Sequence, residues 1–272
     1  MLNPLIQKGK YFGYICYMNP DDLKHRYFLQ LAYKGTQFFG WQVQPDKPTI
    51  QGEVNKALST LLKEDVEVTG AGRTDTGVHA RYYIAHFDSE VKGLEKDEKF
   101  LYGLNSLLPE DIAAYRLIPV PHTAHARFDA LSRTYKYYIT TRKDPFLRDT
   151  AYLYHVALDI PLMNRACRIL MQYRDFTSFS KVHTDVKTFH CNILEAQWAQ
   201  EDHLYVFTIR ADRFLRNMVR AIVGTMMEVG EKKIDLEAFR QIIETKDRSA
   251  AGKSVPAHGL FLTEIKYPAH IL

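Results

Sequence analysis

Apolar and polar positions alternate from Tyr27 to Tyr33 and stop at Lys34-Gly35, the pattern of a strand with one face buried. The period then changes. Ile50, Val54, Ala57, Leu58, Leu61 and Leu62 fall at offsets 0, 4, 7, 8, 11 and 12, one face of a helix that follows Thr49, a residue type suited to N-capping. Short strands are predicted at 66–68 and 83–87, on either side of a glycine-rich turn, and a short helix over 100–108 is stopped by Pro109. A second round follows: a strand over 134–140, a turn at Asp144-Pro145, and a helix on which Leu162, Ala166, Ile169, Leu170 and Tyr173 repeat the 0, 4, 7, 8, 11 face. Residues 193–198 and 204–209 form a predicted hairpin joined at Glu201-Asp202-His203. A helix is predicted over 214–229 with Gly230 at its C′ position, another over 236–243, and a final strand over 260–267.

Two rounds of strands and helices, with no Gly/Ser linker between them, predict an α+β fold. Its two similar halves, 21–122 and 123–272, share one continuous sheet flanked by helices. Residues 1–20 show no period and no apolar core of the kind a secretory signal needs. They are expected to be a disordered or non-native leader, with Met18 as the natural start.

Composition narrows the class. In a chain of 272 residues, 46% hydrophobic content supplies a sizeable core, and 25% charged with 12% aromatic residues argues against disorder. No apolar run approaches the roughly 18 residues of a membrane span. Cys16, Cys167 and Cys191 are too few and too far apart for a disulfide framework or a cysteine zinc site, which fits a reducing, cytoplasmic setting. The net charge of +4 is modest, but its distribution is uneven. Between Ala124 and Arg148 six cations face two acids; between Leu204 and Arg220 four arginines face Asp212 alone. Such clusters belong either to a polyanion-binding face or to ordinary solvated surface.

One segment carries candidate chemistry: Gly70-Ala71-Gly72-Arg73-Thr74-Asp75-Thr76-Gly77-Val78-His79-Ala80. Three glycines permit positive φ and close backbone approach, and the Arg-Thr-Asp triplet between them has nothing apolar to bury. A β-turn with an Asx-type aspartate would use the same residues. A phosphate-cradling loop fits less well, because the P-loop lysine is absent and Asp75 would repel phosphate.

This segment resembles the catalytic signature of the tRNA pseudouridine synthase A family, and other stretches match that family in order. They are Tyr33-Lys34-Gly35-Thr36 with Phe39-Gly40-Trp41-Gln42; Asn105-Ser106-Leu107-Leu108-Pro109; His125-Ala126-Arg127-Phe128 with Arg133-Thr134-Tyr135-Lys136-Tyr137; Asp175-Phe176-Thr177-Ser178-Phe179; Phe214-Leu215-Arg216-Asn217-Met218-Val219-Arg220; and Gly259-Leu260-Phe261-Leu262. The resemblance spans roughly Arg26 to Pro268. Thr76, where alanine is usual, and the first 19 residues depart from the pattern.

The resemblance implies the pseudouridine synthase fold, with a mainly antiparallel sheet. It implies an isomerase that breaks the C1′–N1 bond of uridine in the tRNA anticodon stem-loop, at positions 38–40, turns the base and joins C5 to C1′. No cofactor and no metal are implied. Asp75 is then the catalytic carboxylate, acting as nucleophile on C1′ or C6 or as base at C2′. Arg220 is its charge partner by resemblance, and a phosphate-binding or solvated helix arginine on the residues alone. Arg73 fills the gap left by the flipped base, and Tyr135 stacks on that base; by alternation alone Tyr135 would suit a half-buried strand. Thr74 joins the substrate-binding set. Leu260 and Phe261 wall the uracil pocket or serve as final-strand core. The basic clusters nominate Arg127, Arg133 and Arg216 for RNA contact, with Arg142, Lys143, Arg210 and Arg213 behind them. The family further implies a homodimer sharing one tRNA.

Two rival readings have specific gaps. His122 and His125 form an H-x-x-H pair, but a zinc hydrolase would need a third ligand and an acid beside the first histidine. A non-catalytic RNA-binding module of tandem α+β units would have no use for Asp75.

Overall fold

A computed structural model describes residues 24–181 and 188–272, so the leader reading of 1–20 and Cys16 lie outside the described residues. The first half is built on β1 (His25–Tyr33), β2 (Thr69–Gly70), β3 (His79–Ser89) and β4 (Ile112–Pro119), with α1 (Ile50–Leu62) and α2 (Glu98–Leu107). Thr49 caps α1 by accepting from the Gly52 N–H, and Asp97 caps α2 by accepting from the Lys99 and Phe100 N–H groups. Leu108 is extended before Pro109, which ends α2.

The second half contains β5 (Ser132–Thr140), β6 (Tyr152–Leu153), α3 (Ile160–Leu170), β7 (Ile193–Glu201), β8 (Leu204–Ala211), α4 (Met218–Gly230), α5 (Leu236–Glu244) and β9 (Leu260–Lys266). All nine strands join one sheet, whose main path runs β4-β1-β3-β9-β5-β8-β7. Pairing is antiparallel except for β3 with β9 and β5 with β6. The mainly antiparallel, helix-flanked α+β architecture is the expected one.

The last strand is the seam. β9 pairs with β3 through His79–Phe261 and Ala80–Leu262, and with β5 through Tyr135–Leu262, Lys136–Phe261 and Tyr137–Leu260. It also feeds two cores. Leu262 and Ile265 pack with Tyr27, Leu29, Leu31 and the buried faces of α1 and α2, while Leu260 packs with Tyr137, Phe207 and the residues of α3, α4 and α5.

Three element expectations are corrected. Residues 66–68 form no ladder: the Val66 and Val68 N–H groups bond to Ser59 Oγ and Asn55 Oδ1 of α1 instead. The helix predicted from Phe214 starts at Met218, because Asn217 takes a left-handed conformation (φ 66°) and breaks the period. Gly230 lies in the last turn of α4 rather than beyond it, and the left-handed residue there is Lys232. β4 was not predicted.

Buried histidines hold irregular segments to this sheet. His79 Nδ1 accepts from the Gly35 N–H, and its Nε2 faces the carbonyls of Asp149 at 2.9 Å and His258 at 3.0 Å. His86 Nδ1 accepts from the Ala126 N–H at 3.1 Å. Burial pushes both rings below the ordinary histidine value, His86 to about 4, with Arg26 adding to the effect there. The unfolded chain therefore binds protons that the folded chain refuses. This stability is intact above pH 6.5 and is lost as pH falls from there toward 4. Thermal melts at pH 7.5 and pH 5 should show a lower midpoint at pH 5, and His86→Gln, which keeps an acceptor for Ala126, should shrink that difference. An identical pH dependence in the variant would remove His86 as its source.

Candidate active site

The 70–78 segment is held from behind by backbone and aromatic groups of the first half. The Ala71 N–H donates to Ile84 O at 2.9 Å, and the Trp41 N–H donates to Thr74 O at 3.1 Å. Tyr83 Oη donates to Gly72 O, and Tyr33 Oη pairs with Thr74 Oγ1 at 2.9 Å. Tyr33, Trp41 and Tyr83 pack ring against ring, with Trp41 and Tyr83 stacked at 4.2 Å. Gly40 is required where this scaffold meets the loop: its φ is 87°, and a Cβ there would stand 2.5 Å from Thr74 O. Gly77 (φ 79°) completes a turn in which the Val78 N–H donates to Asp75 O at 3.1 Å.

These anchors sort the triplet. Thr74 is buried, its hydroxyl turned to Tyr33, so it holds the loop rather than facing a substrate. Arg73 is exposed and makes no hydrogen bond or ion pair among the described residues. The Asp75 side chain is 29% exposed. No donor among the described residues hydrogen-bonds its carboxylate. Arg220 Nη1 stands 3.6 Å from Oδ2, and Arg216 Nε stands 3.9 Å from Oδ1. Both distances exceed a hydrogen bond, so the two guanidinium groups supply charge while leaving the carboxylate oxygens open.

Arg220 is fixed from its far side. Its Nε donates to Val255 O at 2.8 Å, and the Val255 N–H returns a bond to Arg220 O at 3.2 Å. That pairing needs the 253–255 segment pressed against α4, which Gly224 permits: a Cβ there would lie 1.9 Å from Lys253 O. Arg216, four residues earlier, ahead of α4 and 60% exposed, is the freer of the two cations.

Tyr135 projects from β5 near this group. Burial raises its phenol to about 12, the Asp75 charge pushing the same way and Arg133 opposing. The side chain is therefore a neutral hydroxyl at physiological pH. Phe214 meets its ring edge-on at 5.1 Å.

The remaining expected residues separate. Register places Leu260 and Leu262 on the sheet face that carries Tyr137 and Tyr135. Phe261 lies on the opposite face, its ring tilted against His79 at 4.5 Å with the Arg81 guanidinium 5.1 Å from its centroid, so it faces away from Tyr135. Leu262, not singled out as a pocket residue in the sequence, shares the Tyr135 face. Arg133 is committed within the protein: its terminal nitrogens donate to the carbonyls of Ala71, Arg127, Ala130 and Asp212 at 2.6–3.0 Å. Freeing it would leave the part-buried carbonyls of Ala71 and Ala130 without this donor in return for one exposed ion pair, and the lost bonds outweigh the gain. Arg127 is exposed with its guanidinium 5.6 Å from the Phe128 ring, and Arg210 pairs with Glu195 at 3.6 Å. His122 faces Asp88 at 3.9 Å, while His125 Nδ1 accepts from the Arg127 and Phe128 N–H groups.

Comparison with known proteins places these residues in context. Residues 31–129 and 166–268 match the family model described as tRNA pseudouridine synthase. A tRNA pseudouridine synthase A from Parabacteroides distasonis is 56% identical over 247 residues, covering 90% of this chain and 97% of that protein. One from Bacteroides fragilis is 56% identical over 247 residues, covering 90% and 98%. One from Clostridium acetobutylicum is 40% identical over 241 residues, covering 88% and 98%.

The Arg133 geometry separates a structural role from RNA contact. Arg133→Ala should lower the unfolding free energy in urea by roughly 3–5 kcal/mol, and Arg133→Lys should recover little, since an ammonium cannot span four carbonyls. Unchanged stability with weakened RNA binding would return Arg133 to the contact surface.

Proposed function

The chain belongs to the tRNA pseudouridine synthase family, and from that premise we propose that its Asp75 drives isomerisation of uridines 38–40 in the anticodon stem-loop. Conversion of uridine to pseudouridine in tRNA is the activity of this enzyme. In that reaction the C1′–N1 bond breaks, the uracil turns, and C5 bonds to C1′. The C5 proton leaves and N1 gains one, so atoms balance with no outside reactant.

The observation that carries the residue assignment is the Asp75 carboxylate, free of hydrogen bonds among the described residues yet 3.6 and 3.9 Å from two guanidinium groups. As nucleophile on C1′ or C6, or as base at C2′, it must be ionised with a lone pair open. Arg220 and Arg216 place two positive charges beside it without occupying its oxygens. Tyr135, neutral and beside Asp75, offers a flat ring for the displaced uracil and a hydroxyl proton near it. Leu260 and Leu262 supply apolar wall on the same face. Unstacking the target base costs a few kcal/mol. The exposed, unpaired Arg73, two residues before Asp75, suits the space the base leaves.

An A-form stem is recognised chiefly by phosphates, 2′-hydroxyls and shape. Arg127, Arg216, Arg142 and Lys143 all carry exposed heads for this task. With a net charge of only +4, one chain is a modest anchor, and a homodimer would pool two basic faces on one tRNA. Residues 21–122 and 123–272 act as the two halves between which the base enters. No helix among the described residues is long and apolar enough to cross a membrane. The cytoplasm, where tRNA is processed, is the proposed location.

Tritium release from uracil C5 tests this reading, with EDTA present and no cofactor added. A tRNA carrying uridines at 38–40 should release label and one lacking them should not; equal release would overturn the positional assignment. Asp75→Asn should lower release by at least about 10²–10⁴-fold with tRNA affinity within a few fold. Persisting turnover would overturn the role of Asp75.

A further inference from the structure

The most exposed large apolar side chain among the described residues is Phe146, 91% accessible on the loop between β5 and β6. An isolated surface aromatic needs no explanation in general, but this one is presented. Pro145 precedes it, the Phe146 N–H donates to Asp144 Oδ1 at 2.9 Å, and the Leu147 N–H donates to Asp144 O at 3.2 Å. The Thr150 and Ala151 N–H groups then close on Leu147 O. The loop is also tied to the catalytic half. Asp149 O meets His79 Nε2 at 2.9 Å, and Lys34 Nζ lies 3.1 Å from Asp149 Oδ2. His79 follows Asp75 by four residues, and Phe146 lies three residues from Asp149, within about 11 Å of that anchor. The aromatic is thus held at a set place relative to the Asp75 loop.

Its surroundings select the partner. Arg142, Lys143 and Arg148 are exposed around it. Of the two carboxylates in the loop, Asp144 caps the Phe146 N–H and Asp149 is matched by Lys34. Lys143 and Arg148 form no ion pair among the described residues. Arg142 is matched by Asp202 at 3.9 Å, which leaves Lys143 and Arg148 as the uncommitted cations of the loop. A bare aromatic between two such cations in the chain fits a stacked base with its flanking phosphates better than a protein partner of ordinary apolar character. We propose that Phe146 stacks on a base of the bound tRNA other than the target uridine, with Lys143 and Arg148 on the adjoining phosphates. The inference rests on the tRNA reading above and extends the RNA face beyond the catalytic cleft.

Phe146→Ala, Phe146→Leu and Phe146→Tyr are compared by tRNA affinity, steady-state tritium release and sedimentation. At this exposure none of the three should disturb folding. The alanine and leucine variants should bind tRNA about 5-fold or more weakly, with the loss in KM rather than kcat, and tyrosine should restore binding. Leucine equal to wild type, or alanine without effect while the wild-type chain isomerises tRNA, would overturn the stack and leave the enzymatic reading standing. A change in sedimentation on Phe146→Ala would also overturn it, assigning the residue to a contact between copies. A wild-type chain that binds tRNA but releases no tritium would count against the enzymatic reading, while the affinity comparison would still test the stack.

Discussion

The site depends on β9 lying between β3 and β5. Without that strand the two halves share no ladder, and the Asp75 loop, which leads into β3, has no fixed relation to Tyr135 on β5 or Arg220 on α4. The parallel contact with β3 is brief, two residue pairs at His79–Ala80, and the antiparallel contact with β5 is longer. Side-chain anchoring compensates for the brevity. His79 binds Gly35, Asp149 and His258 at the junction, and Arg133 bonds both to Ala71 of the Asp75 loop and to Asp212 beyond β8. The cleft is therefore braced by groups that satisfy backbone acceptors, which a neutral imidazole and a five-donor guanidinium do well.

Within that frame, Asp75 is held by backbone while its charge is stabilised at a distance. The loop is pinned through Ala71, Gly72 and Thr74, so the carboxylate needs no direct bond of its own for placement. Arg220 is oriented by Val255 O and so offers charge at 3.6 Å without closing on the oxygen. A bidentate pair would be tighter, but it would occupy the lone pairs that the role proposed for Asp75 needs open. Positioning and charge compensation fall to different residues.

Much of this was legible in sequence, and the exceptions have physical causes. Strands and helices with a clear period were found within a few residues, with the caps at Thr49 and the stop at Pro109. β4 escaped because Ile112–Pro119 breaks alternation: Tyr115 and Arg116 are both exposed, although Ile112, Ala114 and Leu117 on the same edge strand are buried in the core. The start of α4 was misplaced because Phe214 and Leu215 are apolar for contacts with Tyr135 and the core, at helical spacing but not in a helix. Asp75, Tyr135 and Arg220 were nominated through a family resemblance, and only the fold brings them together. Phe261 went astray because strand parity decides which face a residue serves, and parity is known only once its neighbours are.

Counting cations also misjudged what they do. Arg133 and Arg216 come from the two most basic stretches of the chain and look equivalent there, yet one is bonded to four carbonyls and the other keeps a mostly exposed head beside Asp75. The difference follows from position rather than residue type. Arg133 sits next to a strand end, where the loops of both halves leave carbonyls unpaired, and a buried carbonyl without a donor is costly enough to capture the nearest guanidinium. Arg216 sits just before α4, and among the described residues its side chain makes no hydrogen bond and meets only Asp75, at 3.9 Å. Free cations in such a fold are those on turns and helix starts away from the seam, and they, rather than the net charge, define the surface open to a polyanion.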